Sequence, residues 1–467
     1  MGKYKRLLSN TAILGAGTFT SKVLVFLLMP LYTALLSTEQ FGIADILMQT
    51  ANLLIPVACL GLGDGLFRFA LDTSKERRKQ VFSSAFFVII LGMLPLALLI
   101  QVFNLISIYN GYVWLVFAYV CSANLHTVCA NYIRACDKTK TFALQGIANT
   151  VLTIILNVIF LLVFDLGVLG YVLSVVLADF LVTVVIFFAC RLYRELDIRA
   201  PKKELLGDML KFSIPYIPTT MMWLITSSSD RFILTAFSGA SENGLYAAAY
   251  KLPTLISLAG GVFIEAWHFS SVNDAKPEER KSFFGGVYKN YTGIMFIGTS
   301  FIILFAKVLT SLLLDEAYYS SWRYVPVLSV AMLFSAFSAF MGSVYFLEKR
   351  SARSMITAAV GALTNIVLNL LLIPTQGAMG AAVATVISYM VVFVIRAIDT
   401  GKYLRFDLCI PRVSVNTAVI IIQTILMIFE VPYWIFWQLG IVGFLAVFNG
   451  REIFMTAKEL VCKFLKK

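Results

Sequence analysis

Apolar runs long enough to cross a lipid bilayer follow one another from one end of this chain to the other, and polar stretches long enough to build a water-soluble domain are absent. A helix rising about 1.5 Å per residue needs roughly 20 apolar residues to cross the hydrocarbon core, where each backbone N–H and C=O must be paired internally. The expected fold is therefore all-α, a polytopic membrane protein of about 14 transmembrane helices. Candidate spans run from 9–36 and 41–68 through 210–236, 354–373 and 379–398 to 432–449. Composition agrees: of 467 residues, 59% are hydrophobic and 14% charged. The first apolar run, behind Lys3, Lys5 and Arg6, is longer than a signal-peptide core and lacks a small-residue cleavage site, so it reads as a retained span.

A net charge of +12 suggests nucleic acid only if the charge is clustered for it. Here the bases alternate by connection. RFALDTSKERRK, RACDKTK, RLYRELDIRAPKK, KPEERK, EKRSAR and DTGKYLRFD follow every second span, while STEQ, SIYNG, FDLG, SGASEN, PTQG and EVP hold no Lys or Arg. Arg323 in DEAYYSSWR is the exception. The positive-inside rule then places both termini in the cytoplasm of a multi-pass cell-membrane protein, with the bases meeting lipid headgroups and no nucleic acid.

No metal site is expected. The 7 cysteines form no CxxC pair. Cys121, His126 and Cys129 share one span, but only His126 and Cys129 lie on one helical face, which points to packing. The chain shows no GxxxxGK[ST] loop, and no cofactor is called for.

The sequence repeats. STEQFGIADIL lies over ASENGLYAAAYKL when Phe41-Gly42 is matched to Asn243-Gly244, and the same ungapped offset carries Glu76–Phe82 (ERRKQVF) onto Glu278–Phe284 (EERKSFF). LNVIF at Leu156 pairs with LNLLL at Leu368, and the turn ending at Gly170 with that ending at Gly380. Each half has an even number of spans, so the halves share one orientation. The expected domains are an N-terminal six-helix lobe at 1–195, a cytoplasmic linker at 196–209, a C-terminal six-helix lobe at 210–400, two extra transmembrane helices at 401–449, and a cytoplasmic amphipathic tail at 450–467. Two such bundles are expected to enclose a cavity and to rock in alternating access.

Charges inside spans are not part of the repeat: Asp230 and Arg231 fall opposite Leu28 and Met29, Lys251 opposite Gln49, and Lys22 opposite Leu224. The stretch that holds them, SSSDRFILTAFSGASENGLYAAAYKL, together with NTAILGAGTFTSK and LSTEQFGIADI near the start, resembles the polysaccharide transport proteins, the Wzx-type flippases of the multidrug/oligosaccharidyl-lipid/polysaccharide exporter superfamily. The resemblance implies a transporter rather than an enzyme, moving an undecaprenyl-diphosphate-linked oligosaccharide to the outer leaflet for capsule, O-antigen, exopolysaccharide or teichuronic-type assembly. Membrane lipids are its other partners, and polymerase and chain-length machinery are partners that such a role allows. A cation-coupled multidrug exporter of the same fold and a lipid II-type flippase stand as alternatives.

A charge at the bilayer centre costs about 3 kcal/mol on insertion scales, so the retained cations Lys22, Arg231 and Lys251 are the candidate diphosphate ligands. Arginine suits that role because its planar fork binds phosphate in a bidentate manner. Asp230 is the candidate counter-ion or switch, either as a fixed interhelical partner of Lys251 or as an acid that exchanges partners when diphosphate arrives. Asp179, central in the sixth span, is the candidate for ion coupling or a bonded structural acid. Asp64 and Arg68 read as closing the second span on the cytoplasmic side, as an entry gate or a helix cap. Asn149, Asn157, Asn365 and Asn369 are expected to bond between helices, and Pro215 and Pro218 to kink the start of the seventh span.

Overall fold

A computed structural model describes residues 24, 26–71, 73–197, 203–273, 280–348 and 350–465; the side chains of 64, 216, 265, 266, 268–273 and 451–465 are left aside. Lys22 and most of the first expected span lie outside these residues. All regular structure among the described residues is helical. By contact density the chain divides into 1–228 and 229–467.

In the first unit the helices are α1 (Met29–Leu35), α2 (Thr38–Ala58), α3 (Leu62–Ala70), α4 (Lys75–Leu99), α5 (Val113–Ala135), α6 (Thr139–Asn157), α7 (Gly167–Ala189) and α8 (Lys203–Ser213), leading into α9 (Ile217–Ser238). The STEQ turn starts α2 with a capping box: Gln40 N–H donates to Ser37 Oγ at 3.2 Å, and Ser37 N–H donates to Gln40 Oε1 at 3.0 Å. The core gathers on α5, where Tyr132 lies against Phe82 with ring centroids 4.4 Å apart. In contrast α4 turns Leu91, Leu94 and Leu98 outward, as a lipid-facing helix should. At Pro215, where a kink is expected, a 3-10 turn over Ile214–Tyr216 separates α8 from α9.

One break was not anticipated. The second span, read as continuous over 41–68, is interrupted between α2 and α3, where Leu60 (φ 49°) and Gly61 (φ 67°) are both left-handed. A Cβ on Gly61 would lie 2.8 Å from the Ser213 carbonyl oxygen. Gly61→Ala therefore combines an unfavourable backbone region with a clash, and should destabilise the purified protein by about 2 kcal/mol, read as a lowered thermal midpoint.

The second unit continues with α10 (Ala240–Lys251), α11 (Thr254–Asn273), α12 (Arg280–Leu304), α13 (Ala306–Leu313), α14 (Val325–Leu347), α15 (Ser351–Thr400), α16 (Ile410–Ile428) and α17 (Trp434–Leu465). Its central helix is α14, whose apolar window is 83% buried. Around it stack Trp267 on Phe340 (5.4 Å) and Phe263 on Tyr291 (4.5 Å). Two expected spans, 354–373 and 379–398, run together as α15 but are parted by Gly377 (φ 55°, ψ −136°), the turn in TQGAMG. Counted by length and hydropathy, the described residues hold 8 helices able to cross a membrane, or 10 if two bent pairs each make one span.

A cation that the sequence reading passed over anchors α15. Arg396 is 2% exposed; its Nε–H donates to Thr357 Oγ1 (3.0 Å), Nη1 to the Ser338 carbonyl (2.9 Å) and Nη2 to the Ser354 carbonyl (3.3 Å). Gly342 makes room for it, since a Cβ there would sit 2.8 Å from Nη1.

Buried polar side chains join the last two helices to α12. Gln423 Nε2 donates to the Ser300 carbonyl (3.1 Å) and to Gln438 Oε1 (2.8 Å), Ser300 Oγ donates to Gln423 Oε1 (2.7 Å), and Asn416 and Asn449 exchange amide bonds of 2.9 and 3.2 Å. At the turn between α16 and α17, Lys307 pairs with Glu430 and lies over the rings of Trp322 (4.5 Å) and Trp434 (4.7 Å). The hydrogen bond from Lys307 holds the Glu430 carboxyl below its usual range. The backbone of the expected amphipathic tail is helical to Leu465 and continues α17, since one glycine at 450 is too weak to stop a helix.

Candidate functional site

The acid and base that stood out in the seventh span are both buried in α9, Asp230 at 0% and Arg231 at 6% exposure. Asp230 Oδ1 accepts from the Arg231 backbone N–H (2.9 Å), and Oδ2 accepts from the hydroxyls of Tyr246 (2.6 Å) and Thr385 (3.3 Å). These bonds come from a hydroxyl on α10 and another on α15, donors that the sequence reading did not name. Arg231 turns to another face, with its guanidinium over the Tyr250 ring at 4.7 Å. Tyr246 and Tyr250 are four residues apart on α10, so one helix face receives both members of the pair. Lys251 is the half-buried last residue of that helix.

Beneath the carboxylate lies an amide layer. Ser229 Oγ donates to Asn365 Oδ1 (2.7 Å), Asn369 Nδ2 donates to the same oxygen (2.8 Å), and Asn365 Nδ2 donates to Thr385 Oγ1 (3.4 Å). Asn365 thus bonds across helices as expected. Asn157 and Asn369 do not: in the bonds they donate, Asn157 serves Thr153 O (2.9 Å) and Asn369 serves Asn365, each four residues back on its own helix. At this spacing an amide satisfies its own backbone or neighbour more readily than a distant helix.

The first unit has its own polar cluster. Asp179, 7% exposed on α7, accepts from Asn149 Nδ2 on α6 (2.8 Å) and lies 3.6 Å from His126 Nδ1 on α5. His126 Nε2 shares a 2.6 Å hydrogen bond with Gln145 Oε1. Sequence reasoning found Asp179 and Asn149 separately, assigned His126 to packing and missed Gln145, although Gln145 and Asn149 share a face at i,i+4. Asp45, an acid of α2 that was also missed, is 8% exposed and bonded to Gln49 at 3.4 Å.

Asp64 and Arg68 both lie on α3, four residues apart. Because the span breaks at Gly61, Asp64 lies in the first turn of α3 rather than at the span's end, and its side chain is outside the described residues. Arg68 is exposed in the last turn.

A helical chain with repeated bilayer-length spans and buried charge inside its bundles defines a polytopic membrane protein. The profile of the family described as polysaccharide biosynthesis protein matches residues 7–267. The chain belongs to that family, the Wzx-type polysaccharide exporters. An uncharacterised membrane protein of Methanocaldococcus jannaschii is 23% identical over 397 residues, covering 80% of this chain and 93% of that one. The fold is that of the lipid II flippase MurJ in an inward closed conformation (TM-score 0.72, 14% identity, 96% of this chain and 100% of that chain). It also matches an inward-facing multidrug resistance MATE transporter of the MOP superfamily (TM-score 0.62, 16% identity, 82% and 95%).

Proposed function

We propose that the protein translocates an undecaprenyl-diphosphate-linked oligosaccharide from the cytoplasmic to the outer leaflet of a bacterial plasma membrane, with both termini cytoplasmic, for polysaccharide assembly. The observation that carries this reading is Arg231, a guanidinium buried in α9, inside the span expected at 210–236, and stacked on Tyr250. An intramembrane cation is kept where an anion or a partner acid offsets its cost. Arg231 and Lys251 would take the diphosphate, with Lys22 as a third cation. Asp230 would hold the site neutral between loads, because its carboxylate is already steadied by Tyr246 and Thr385. Asp64 and Arg68 would serve entry from the cytoplasm.

Outward movement of a diphosphate bearing about two negative charges gains roughly 2.3 kcal/mol per charge per 100 mV in a cell negative inside, so no ATP is required. The test is transfer of a fluorescent lipid-linked oligosaccharide in proteoliposomes at a clamped potential. Transfer is expected without ATP, faster when the donor side is negative; dependence on ATP at constant potential would falsify this energetic scheme. The pair of half-buried His126 with buried Asp179 favours a second reading, cation-coupled export. Ethidium efflux without movement of lipid-linked sugar would establish that reading instead.

A further inference from the structure

A cavity of about 250 Å³ opens where the second span breaks, its described lining all within the first unit, among it Asn52 and Pro56 of α2, Gly63 of α3, Asn124 and Thr127 of α5 and Thr220 of α9. We propose that this cavity is a neutral subsite for one sugar ring of the transported molecule, an inference that rests on the function proposed above.

Three features carry it. Asn124 is 2% exposed, yet among the described residues neither Asn124, Asn52 nor Thr127 makes a side-chain hydrogen bond within the protein. Buried amides are ordinarily paired, so an amide and a hydroxyl three residues apart on one face of α5, facing a third polar side chain on α2, form a set of hydrogen-bonding groups that awaits a partner. Second, Pro56 lacks the N–H that would pair with the Asn52 carbonyl, which adds an acceptor on the same side of α2. Third, no lining residue among the described ones is charged, and Ile55, Ile217 and Leu224 complete the wall.

That chemistry excludes the diphosphate and fits a carbohydrate. Amides offer a donor and an acceptor side by side, matching neighbouring hydroxyls, while the aliphatic wall meets the C–H face of a ring. The volume lies just under the roughly 300–1,000 Å³ of sites for drug-sized ligands, room for one ring and not for a whole repeat unit. The break at Gly61 is what creates the space, since a continuous helix through 59–61 would close it with backbone.

The experiment is equilibrium binding by the full-length protein in nanodiscs of two probes, lipid-linked oligosaccharide purified from a strain deleted for this protein, and undecaprenyl diphosphate without sugar. Asn124→Leu, similar in shape, is expected to weaken the sugar-bearing probe about tenfold and to leave the sugar-free probe within about twofold, the size of effect that loss of neutral hydrogen bonds in a dry pocket gives. If Asn124→Leu does not yield monodisperse protein, Asn52→Ala with Thr127→Val makes the same test from the other side chains. Equal weakening of both probes, or of neither, overturns the subsite while the flippase reading stands. Wild-type protein that binds neither probe overturns both.

Discussion

Arg231→Ala is expected to reduce transfer of lipid-linked oligosaccharide by roughly 10–100-fold, the range for losing charge-assisted hydrogen bonds of about 1.5–3 kcal/mol, with protein level unchanged. Two arrangements support the second half of that expectation. The guanidinium rests over Tyr250, so its removal leaves an aromatic face there. Asp230 keeps the hydroxyls of Tyr246 and Thr385 whether or not the arginine is there. Arg231→Lys retains the charge but not the planar fork, and should recover only part of the rate. Lys22→Ala is expected to act in the same direction. Normal glycan in cells carrying Arg231→Ala, checked alongside flipping in proteoliposomes, would remove Arg231 from the site.

The largest effect on stability belongs to Arg396, which the proposed transport chemistry does not use. Arg396→Ala strips partners from the Ser338 and Ser354 carbonyls and the Thr357 hydroxyl, and opens a void beside Gly342. Unsatisfied buried acceptors and an unfilled cavity together should cost about 3–5 kcal/mol, read as a fall in thermal midpoint and in the yield of folded protein. Arg396→Lys, with a point charge in place of the fork, is expected to restore less than half. Gly342→Ala forces the guanidinium to move and should reproduce a smaller version of the same loss. Unchanged stability in Arg396→Ala would show that α14 and α15 hold together through apolar packing alone.

How far the sequence could be read follows from the range of each interaction. Apolar run length and the repeat are local, and they announced an all-helical membrane chain. Turn chemistry is local too: Ser37 with Gln40, the Pro215/Pro218 pair and the Gly377 turn could each be read directly from the residues. Asp230 and Arg231 stood out because charge is rare in lipid, but their partners Tyr246 and Thr385 come from α10 and α15, and no spacing rule reaches across 155 residues. Arg396 escaped notice for a different reason. It sits near the end of an apolar run, where a cation reads as an interfacial anchor, and only the fold turns it inward. The break at Leu60 and Gly61 hides in LGLGDG, whose glycines are common in membrane helices, and the close approach of the Ser213 carbonyl to Gly61 comes from a helix about 150 residues further on.

The bonds that tie Gln423 to Ser300, and Gln438 to Gln423, carry a consequence for biogenesis. A chain made from its N-terminus inserts α12 well before α16 and α17 emerge, so Ser300 and the facing surface of α12 must wait in lipid or beside a chaperone. The second unit is therefore complete only when the last helix arrives, and nonsense mutations that remove only that helix should send the protein to degradation rather than yield a shorter working transporter.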